Sequence, residues 1–396
     1  MEGFKIAIVG NNWVVRMKKA LIYTSVASMV EQFMQDNIRL LQNMGYQVEV
    51  ACNFEEGNTI DDEKILNFKE SLTEKGVTYH QLPIPRDLKS LGKMKAAYNL
   101  SKRLFQETHY DLIHFHSPIG AAIGRFAARQ TRKKCTRIIY TAHGFHFFSG
   151  APIFNWALFY PLEYLMSMYT DTLITINKED YQRAQNLLTK DVRYTPGVGI
   201  DTEKLGHSDL IDASSKRQDL GVLDSEVLLL SVGELNPNKN HKELIQQLPK
   251  IAAPFKYIIC GQGHLEDELK ALCTELNISD KVTFLGYRTD VPEIMQVSDV
   301  FLFPSKREGL SVALMEAMAT GLPCLVSDIR GNTDLIDQNK GGFIFKHGDD
   351  QSLVESMQKL ASDNLLRKRM SQYNLKKIKT FDKEAVNGLM KEIYTI

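Results

Sequence analysis

Residues 305–321, SKREGLSVALMEAMATG, contain two glutamates, Glu308 and Glu316, with seven residues between them. The apolar run before them, DVFLFP at 299–304, is predicted to be a strand, and residues 312–319 are predicted to be a helix. A strand that passes through a glycine-containing turn into a helix leaves backbone N–H groups at the positive end of the helix dipole. This arrangement favours phosphate binding, with one carboxylate before the helix and the other within it.

These residues resemble the paired-glutamate signature of family 4 glycosyltransferases, a retaining, nucleotide-sugar-dependent class with the GT-B fold. The resemblance implies that Glu308 contacts the sugar of the donor and that Glu316 holds its ribose hydroxyls. It also implies that backbone amides between them bind the diphosphate, namely those of Gly309, Leu310 and Ser311. Taken alone, each glutamate is better explained as a surface residue beside an amphipathic helix, and it is the spacing with its context that favours the donor site.

A second segment, GELNPNKNH at 233–241, follows a predicted buried strand at 227–232 and resembles another donor-binding motif of the family. The resemblance gives Lys239 the role of neutralising the donor diphosphate, with Gly233 and Asn238 beside it in the donor site. The alternative for Lys239 is an ordinary loop lysine that faces solvent.

Glu234 departs from this motif, because family members usually have an arginine at its position. One cationic contact to the phosphates is therefore missing, and either Arg288 or Lys306 compensates for it or Glu234 serves another purpose. Further along, GQGH at 261–264 lacks the third glycine of a dinucleotide fingerprint. Gly261 is instead predicted to let the backbone approach the nucleotide closely.

The whole chain predicts an α/β protein of the GT-B class, with two doubly wound parallel-sheet domains that face each other across a cleft. The predicted parts are an acceptor-binding domain at 1–200, a nucleotide-sugar-binding domain at 201–375, and a C-terminal helix at 376–396 that packs back on the first domain. Residues 1–16 either form an added strand or result from the assignment of the start codon. A helix is predicted over 29–44, residues 353–389 are predicted to be helical, and residues 201–225 are predicted to be a linker with a short helix.

Four histidines lie at the ends of two predicted strands of the first domain, in HFHSP at 114–118 and TAHGFH at 141–146. A metal site is disfavoured on the expectation that His114 and His116 face opposite sides of their strand. The resemblance assigns His143 to a contact with the donor sugar or phosphate, and the alternative is a strand-end histidine satisfied by its neighbours. His116 is predicted to be structural or to lie near the acceptor.

Residues 86–137 contain twelve lysines and arginines against three acidic residues, which predicts an anionic partner such as phospholipid or polyprenyl diphosphate. A solvated helix face would explain the charge equally well, and no nucleic-acid-binding motif accompanies it. The aromatic segment 147–169 is predicted to be either a buried helix or an interfacial segment with Trp156, Phe159 and Tyr160 at headgroup level. No apolar run is long enough to span a bilayer.

The five cysteines are scattered and odd in number, which indicates a reducing cytoplasm and no structural zinc. No Asp-x-Asp sequence occurs, so no metal or other cofactor is expected beside the nucleotide-sugar co-substrate. No signal peptide is predicted. The expected location is the cytoplasm, at the inner face of the cell membrane.

The preferred hypothesis is a retaining, metal-independent hexosyltransferase that moves a sugar from a nucleotide-sugar, with UDP the default, to a polyprenyl-diphosphate-linked saccharide. The family members that this chain most resembles act in capsule, exopolysaccharide or glycan assembly. One alternative is a nucleotide-sugar 2-epimerase of the same fold. Another is a non-catalytic sugar-nucleotide-binding protein, suggested by Glu234 and by the absence of glycine from residues 24–28.

Overall fold

The computed structural model of the chain describes residues 4–9, 12–87, 89–206 and 212–395. The chain divides into two compact units. The first unit consists of Met1–Val198 together with Val386–Ile396, and the second unit is Gly199–Ala385.

The first unit contains a sheet of eight strands: β1 Phe4–Val9, β2 Asn12–Val26, β3 Tyr46–Asn53, β4 Thr78–Gln81, β5 Leu112–His116, β6 Arg137–Ala142, β7 Thr172–Thr175 and β8 Asp191–Tyr194. Seven strands are parallel in the order β4-β3-β2-β5-β6-β7-β8, and β1 pairs antiparallel with the first part of β2. Residues 4–9 thus form an added strand.

The second unit contains a parallel sheet of six strands: β9 Val227–Val232, β10 Phe255–Cys260, β11 Val282–Gly286, β12 Val300–Phe303, β13 Cys324–Ser327 and β14 Gly342–Phe345. Their order is β11-β10-β9-β12-β13-β14. Both sheets carry helices on both faces, so the central strands are continuous apolar runs rather than alternating ones. The prediction of two doubly wound parallel sheets is confirmed.

The helices that cover the first sheet before the unit boundary are α1 Ala27–Phe33, α2 Gln35–Asn43, α3 Asp62–Glu74, α4 Leu91–Glu107, α5 Pro118–Ala128, α6 Ile153–Ser167 and α7 Lys178–Ala184. The remaining helices are α8 Thr202–Gly206, α9 Ala213–Asp219, α10 His241–Gln247, α11 Glu266–Glu275, α12 Val291–Val297, α13 Val312–Ala319, α14 Asn332–Leu335, α15 Asp350–Ser362, α16 Asn364–Lys377 and α17 Lys383–Thr395. Short 3₁₀ turns occupy Thr131–Lys134, Leu248–Lys250 and Ile378–Phe381.

The continuous helix predicted over 29–44 is wrong, because the chain leaves the helical conformation at Met34, between α1 and α2. No proline or glycine marks this break. Met34 is buried in the core of the first unit, so packing rather than local propensity sets the break.

The region predicted to be helical over 353–389 is divided into separate helices. Asp363 ends α15, and its carboxylate caps α16 by accepting the backbone N–H of Leu366 at 2.8 Å. A second break follows at Asp382, whose carboxylate accepts from the backbone and hydroxyl of Thr202.

The predicted linker contains α8 and α9, and residues 207–211 lie outside the described part of the chain.

The last helix, α17, contributes its apolar side to the first unit. Val386, Met390, Ile393 and Tyr394 are buried in the same core cluster as Ile22 of β2. The end of the chain therefore contributes to the core beneath the central strand of the first sheet.

Candidate functional site

The two segments singled out in the second half of the chain follow neighbouring strands of the second unit. Residues 233–241 follow β9 and residues 304–311 follow β12, and these two strands pair with each other in parallel. Because parallel strands end at the same edge of a sheet, both segments lie at the edge where ligands of such sheets bind. They are called the donor loops below, after the role that the sequence predicts for them.

The donor loops are joined by three direct contacts. The Lys239 ammonium lies 2.7 Å from Glu308 Oε1, so the two residues form an ion pair. Asn238 Nδ2 donates to the Arg307 carbonyl at 3.1 Å, and the Lys306 N–H donates to the Asn238 carbonyl at 2.8 Å. The structure thus brings together three of the predicted site residues, Lys239, Asn238 and Glu308.

The ion pair is mostly shielded from water, because the Lys239 and Glu308 side chains are only 22% and 15% exposed. The ammonium also lies 4.9 Å from the centre of the Phe303 ring, on β12. A partly buried cation beside an aromatic face attracts anions more strongly than one in bulk water. In this state Glu308 neutralises Lys239.

Asn236 shapes the first donor loop, although the sequence analysis did not single it out. Its Oδ1 accepts the backbone N–H groups of Asn238 at 3.0 Å and of Lys239 at 2.9 Å. This turn directs the Lys239 side chain towards Glu308. An asparagine that precedes a proline is a known signal for such a turn, so the sequence did contain it.

The second donor loop ends in a helix N-terminus with an N-cap. The Ser311 hydroxyl accepts from the Leu314 N–H at 3.4 Å, which leaves earlier N–H groups of α13 available to a ligand. The loop is braced by Gly331, where a β-carbon would lie 2.3 Å from the Gly309 carbonyl oxygen. Gly331 has a φ of +81°, so a side chain there would meet both strain and a clash.

Glu316 lies on α13 and is partly buried. Burial raises the pKa of its carboxyl to about 7, because a charged carboxylate is poorly solvated there. At neutral pH it is therefore divided between its two protonation states. Hydroxyl groups that donate to this carboxylate would favour the charged form.

The other predicted donor residues differ in their surroundings. Arg288 is engaged by Asp290, with Nη2 2.5 Å from Oδ2, so its charge is already compensated. The Glu234 side chain is exposed. Gly261 packs on the first donor loop, where a β-carbon would lie 1.9 Å from the Gly233 carbonyl oxygen. The close approach at Gly261 is thus to the loop backbone, and its contact with a nucleotide stays a prediction.

In the first unit, the expectation that His114 and His116 face opposite sides of their strand is wrong. Side chains alternate along a strand, so residues two apart lie on the same face. Their ring centres are 4.0 Å apart, and His116 Nδ1 lies 3.1 Å from His143 Nε2. The described residues nevertheless contain no group of three or more His, Cys, Asp or Glu side chains arranged to hold a metal ion.

The segment that follows His143 is held by contacts from α7 that the sequence did not predict. The buried Asp180 carboxylate accepts the Phe145 N–H at 2.9 Å, and Asn177 Nδ2 donates to the same oxygen at 2.8 Å. Glu179 accepts the Ser149 N–H at 2.7 Å. These contacts fix the turn after β6 to a helix rather than leaving it to solvent.

The aromatic segment forms α6, and the residues expected at headgroup level are not its most exposed ones. Trp156, Phe159 and Tyr160 pack against the core cluster that contains the buried Phe147. The exposed apolar side chains are instead Ile153, Phe154, Leu165 and Met168. No helix in the described ranges is long and apolar enough to cross a membrane.

Two family models match the chain: Glycosyltransferase Family 4 at residues 30–203 and Glycosyl transferases group 1 at residues 212–377. The chain is 33% identical over 386 residues, 96% of both chains, to EpsD of Bacillus subtilis (strain 168), which is named as a glycosyltransferase. It is 31% identical over 297 residues to the UDP-Gal:alpha-D-GlcNAc-diphosphoundecaprenol alpha-1,3-galactosyltransferase of Escherichia coli, covering 71% of this chain and 74% of the relative.

A solved structure shows the same fold. Anabaena HepE, crystallised in complex with UDP and glucose, matches with a TM-score of 0.76 at 20% identity. The match covers 96% of this chain and 99% of HepE. Both parallel sheets and their helices therefore follow an architecture already seen in that protein.

Proposed function

Because the chain belongs to the family 4, group 1 glycosyltransferases, we propose that it transfers a hexose from a UDP-sugar to a polyprenyl-diphosphate-linked saccharide in polysaccharide assembly. The Escherichia coli relative acts on an acceptor of this type, and HepE was crystallised with UDP. The observation that carries the proposal is the Lys239–Glu308 pair beside the N-terminus of α13. The comparisons give no support to the epimerase alternative.

The donor loops offer two kinds of positive charge to a diphosphate. Lys239 supplies a cation, and the N–H groups at the start of α13 supply the positive end of a helix dipole. The N–H groups are held in place by the fold, and Lys239 reaches the diphosphate by leaving Glu308, so both would stabilise the charge that grows on the departing UDP. We assign this task to the protein alone, without a metal ion.

Glu308 and Glu316 would act on different parts of the donor. In the proposed reaction Lys239 turns from Glu308 to the diphosphate, and Glu308 then accepts hydrogen bonds from the sugar. Glu316 accepts the ribose hydroxyls. The bond from the anomeric carbon to UDP breaks while the bond to the acceptor hydroxyl forms on the same face, and the departing phosphate takes the acceptor proton.

The test of this proposal is nucleotide release from a panel of UDP-, GDP- and ADP-sugars, with membranes as the source of acceptor and EDTA present. We expect release of UDP with one sugar only, and only when the lipid-linked acceptor is added. NMR of the product would show the anomeric configuration of the donor. Sugar interconversion without an acceptor, or donor binding with no turnover, would contradict the proposal.

We further propose that the protein works at a membrane surface through the helix layer α4–α5–α6. These three helices pack side by side on one face of the first sheet. Ile153 and Phe154 at the start of α6 are 83% and 67% exposed, and Leu91 on α4 is 72% exposed. Basic residues such as Lys95 on α4 add attraction to anionic headgroups.

Flotation with vesicles of anionic or zwitterionic lipid tests this surface. We expect binding to the anionic vesicles, and a loss of about tenfold or more when Ile153 and Phe154 are both changed to Ser. Leu365→Ser is the matched control, because Leu365 is equally exposed on α16 of the second unit. Equal flotation of all three proteins would contradict the assignment.

A further inference from the structure

Strands β5 and β6 place three histidines together within the first unit: the rings of His114 and His116 are in contact, and His116 is hydrogen-bonded to His143. Their parallel register sets His116 opposite Thr141, next to the turn that contains His143. His114 and His116 are buried, and His143 is partly exposed. The cluster is thus closed on one side and open on the other.

The protonation of His114 follows from its partners. Asn37 Nδ2 donates to the Tyr394 hydroxyl at 2.7 Å, and His114 Nδ1, 2.8 Å away, is the one acceptor that the described residues offer to the hydroxyl proton. The proton of His114 is then on Nε2, which donates to Thr141 Oγ1 at 2.7 Å. Both nitrogens of His114 are satisfied while the ring is neutral, and burial lowers its pKa to about 3.

The bond between His116 and His143 allows two arrangements, because either Nδ1 of His116 or Nε2 of His143 carries the shared proton. His116 Nε2 is buried and has no hydrogen-bond partner among the described residues. If His143 were the donor, His116 would have to carry its own proton on this unpaired nitrogen. A buried N–H without a partner is costlier than a buried lone pair, so His116 Nδ1 is the donor.

This assignment fixes the state of His143. Its Nε2 accepts from His116, so the single proton of the neutral ring lies on Nδ1. Burial lowers the pKa of His143 to about 4, which keeps the ring neutral at physiological pH. In water a neutral histidine carries its proton mainly on Nε2, and the cluster reverses that preference.

We infer that His116 is a positioning residue that holds His143 in the Nδ1–H form, so that His143 donates a hydrogen bond to an oxygen of the substrate. The inference rests on the proposed function, in which His143 contacts the donor sugar or phosphate. A neutral donor suits a sugar hydroxyl or a phosphate oxygen equally. His116 itself touches no substrate.

The tautomer is tested directly by NMR of the free protein labelled with ¹⁵N-histidine. The His143 signals are assigned by their disappearance in His143→Asn. We expect a protonated Nδ1 and an unprotonated Nε2 in the wild type, and a shift towards the Nε2–H form in His116→Phe, which keeps a ring against His114. Thr141→Val is the control, because it removes a partner of His114 alone and leaves the His143 tautomer unchanged.

A wild-type His143 that carries its proton on Nε2 overturns the inference, whether or not the His116→Phe variant folds. An unchanged tautomer in a folded His116→Phe protein does so as well. These readouts need no turnover, so failure of the proposed transferase reaction would leave them intact and would be recognised separately.

Two amide variants test the contact to the substrate. Asparagine at position 143 places a polar atom where Nδ1 lies, whereas glutamine places one where Nε2 lies. We expect His143→Asn to retain about tenfold more kcat/KM than His143→Gln, the worth of one hydrogen bond. Equal activity of the two variants, or higher activity of the glutamine variant, would contradict a donor at Nδ1.

Discussion

The donor loops and the histidine cluster are both at the carboxyl ends of parallel strands, yet they are built on opposite electrostatic principles. The donor loops contain a charged pair, Lys239 and Glu308, joined at 2.7 Å and partly open to solvent. The cluster of His114, His116 and His143 is neutral, because burial lowers the pKa of each ring. The donor loops hold a pair of opposite charges, whereas the histidine cluster fixes the direction of a hydrogen bond.

This difference in charge determines how each region can respond to a ligand. An ion pair can exchange one partner for a phosphate, since the cation keeps a counter-charge throughout. A chain of neutral hydrogen bonds has no charge to exchange, but it fixes which atom is a donor. Substitutions in the donor loops should therefore change binding and turnover, whereas substitutions beneath the cluster should change stability and orientation.

The largest effect is expected from Glu308→Ala. Removal of a group that orients the sugar in the transition state should lower kcat by about 100-fold or more. Glu268→Ala is the matched control, because Glu268 forms an exposed pair with Lys242 at 2.9 Å on the same unit. Steady-state kinetics with the donor identified by the sugar panel provides the measurement, and wild-type turnover in Glu308→Ala would refute the assignment.

A smaller effect is expected from the pH dependence of Glu316. Its pKa is raised in the folded state, so its contribution to stability is present below the ordinary glutamate pKa and is lost as pH rises through about 7. Between pH 5 and pH 8 the wild type should lose on the order of 2 kcal/mol relative to Glu316→Gln. Urea unfolding at both pH values measures this, with the exposed Glu355→Gln as control.

An unchanged difference between wild type and Glu316→Gln across that pH range would mean that Glu316 is ionised at no cost. In that case burial would not raise the pKa of the Glu316 carboxyl. UDP binding tests the Glu316 carboxyl in a second way, because ribose hydroxyls that donate to it would favour its charged form. The affinity for UDP should therefore rise as the pH is raised through about 7.

The smallest effect is expected beneath the histidine cluster, in Tyr394→Phe. Loss of this hydroxyl leaves His114 Nδ1 and Asn37 Nδ2 without their partner and should cost about 1 kcal/mol of stability. Tyr98→Phe is the control, because within the described ranges the Tyr98 hydroxyl accepts from the partly exposed Arg129 alone. Thermal unfolding of both variants decides this, and equal melting temperatures would contradict a structural role for the hydroxyl.

The sequence predicted those features that depend on local pattern. The helix at 312–319 and the strand at 227–232 were predicted with the boundaries that the structure has, because each is a compact apolar run between turn signals. The role of the donor loops, by contrast, came from their resemblance to a family and not from the residues alone.

The features that the sequence did not predict depend on which strands lie side by side. The bond from His116 to His143 requires the parallel register of β5 and β6, and nothing local specifies that register. Gly331 braces Gly309 from a different loop. The break at Met34 is likewise set by the core against which it packs.

The central claim is that Lys239 binds the donor diphosphate, and that Glu308 holds the Lys239 side chain before the donor binds. Calorimetric titration with UDP tests this claim most directly. Lys239→Ala should weaken UDP binding by about 10- to 100-fold, the worth of a charged hydrogen bond. Glu308→Ala should leave UDP binding unchanged or tighter, because UDP lacks the sugar and Lys239 is released. Equal weakening in both variants, or no change in Lys239→Ala beyond that of Lys242→Ala, would contradict the account.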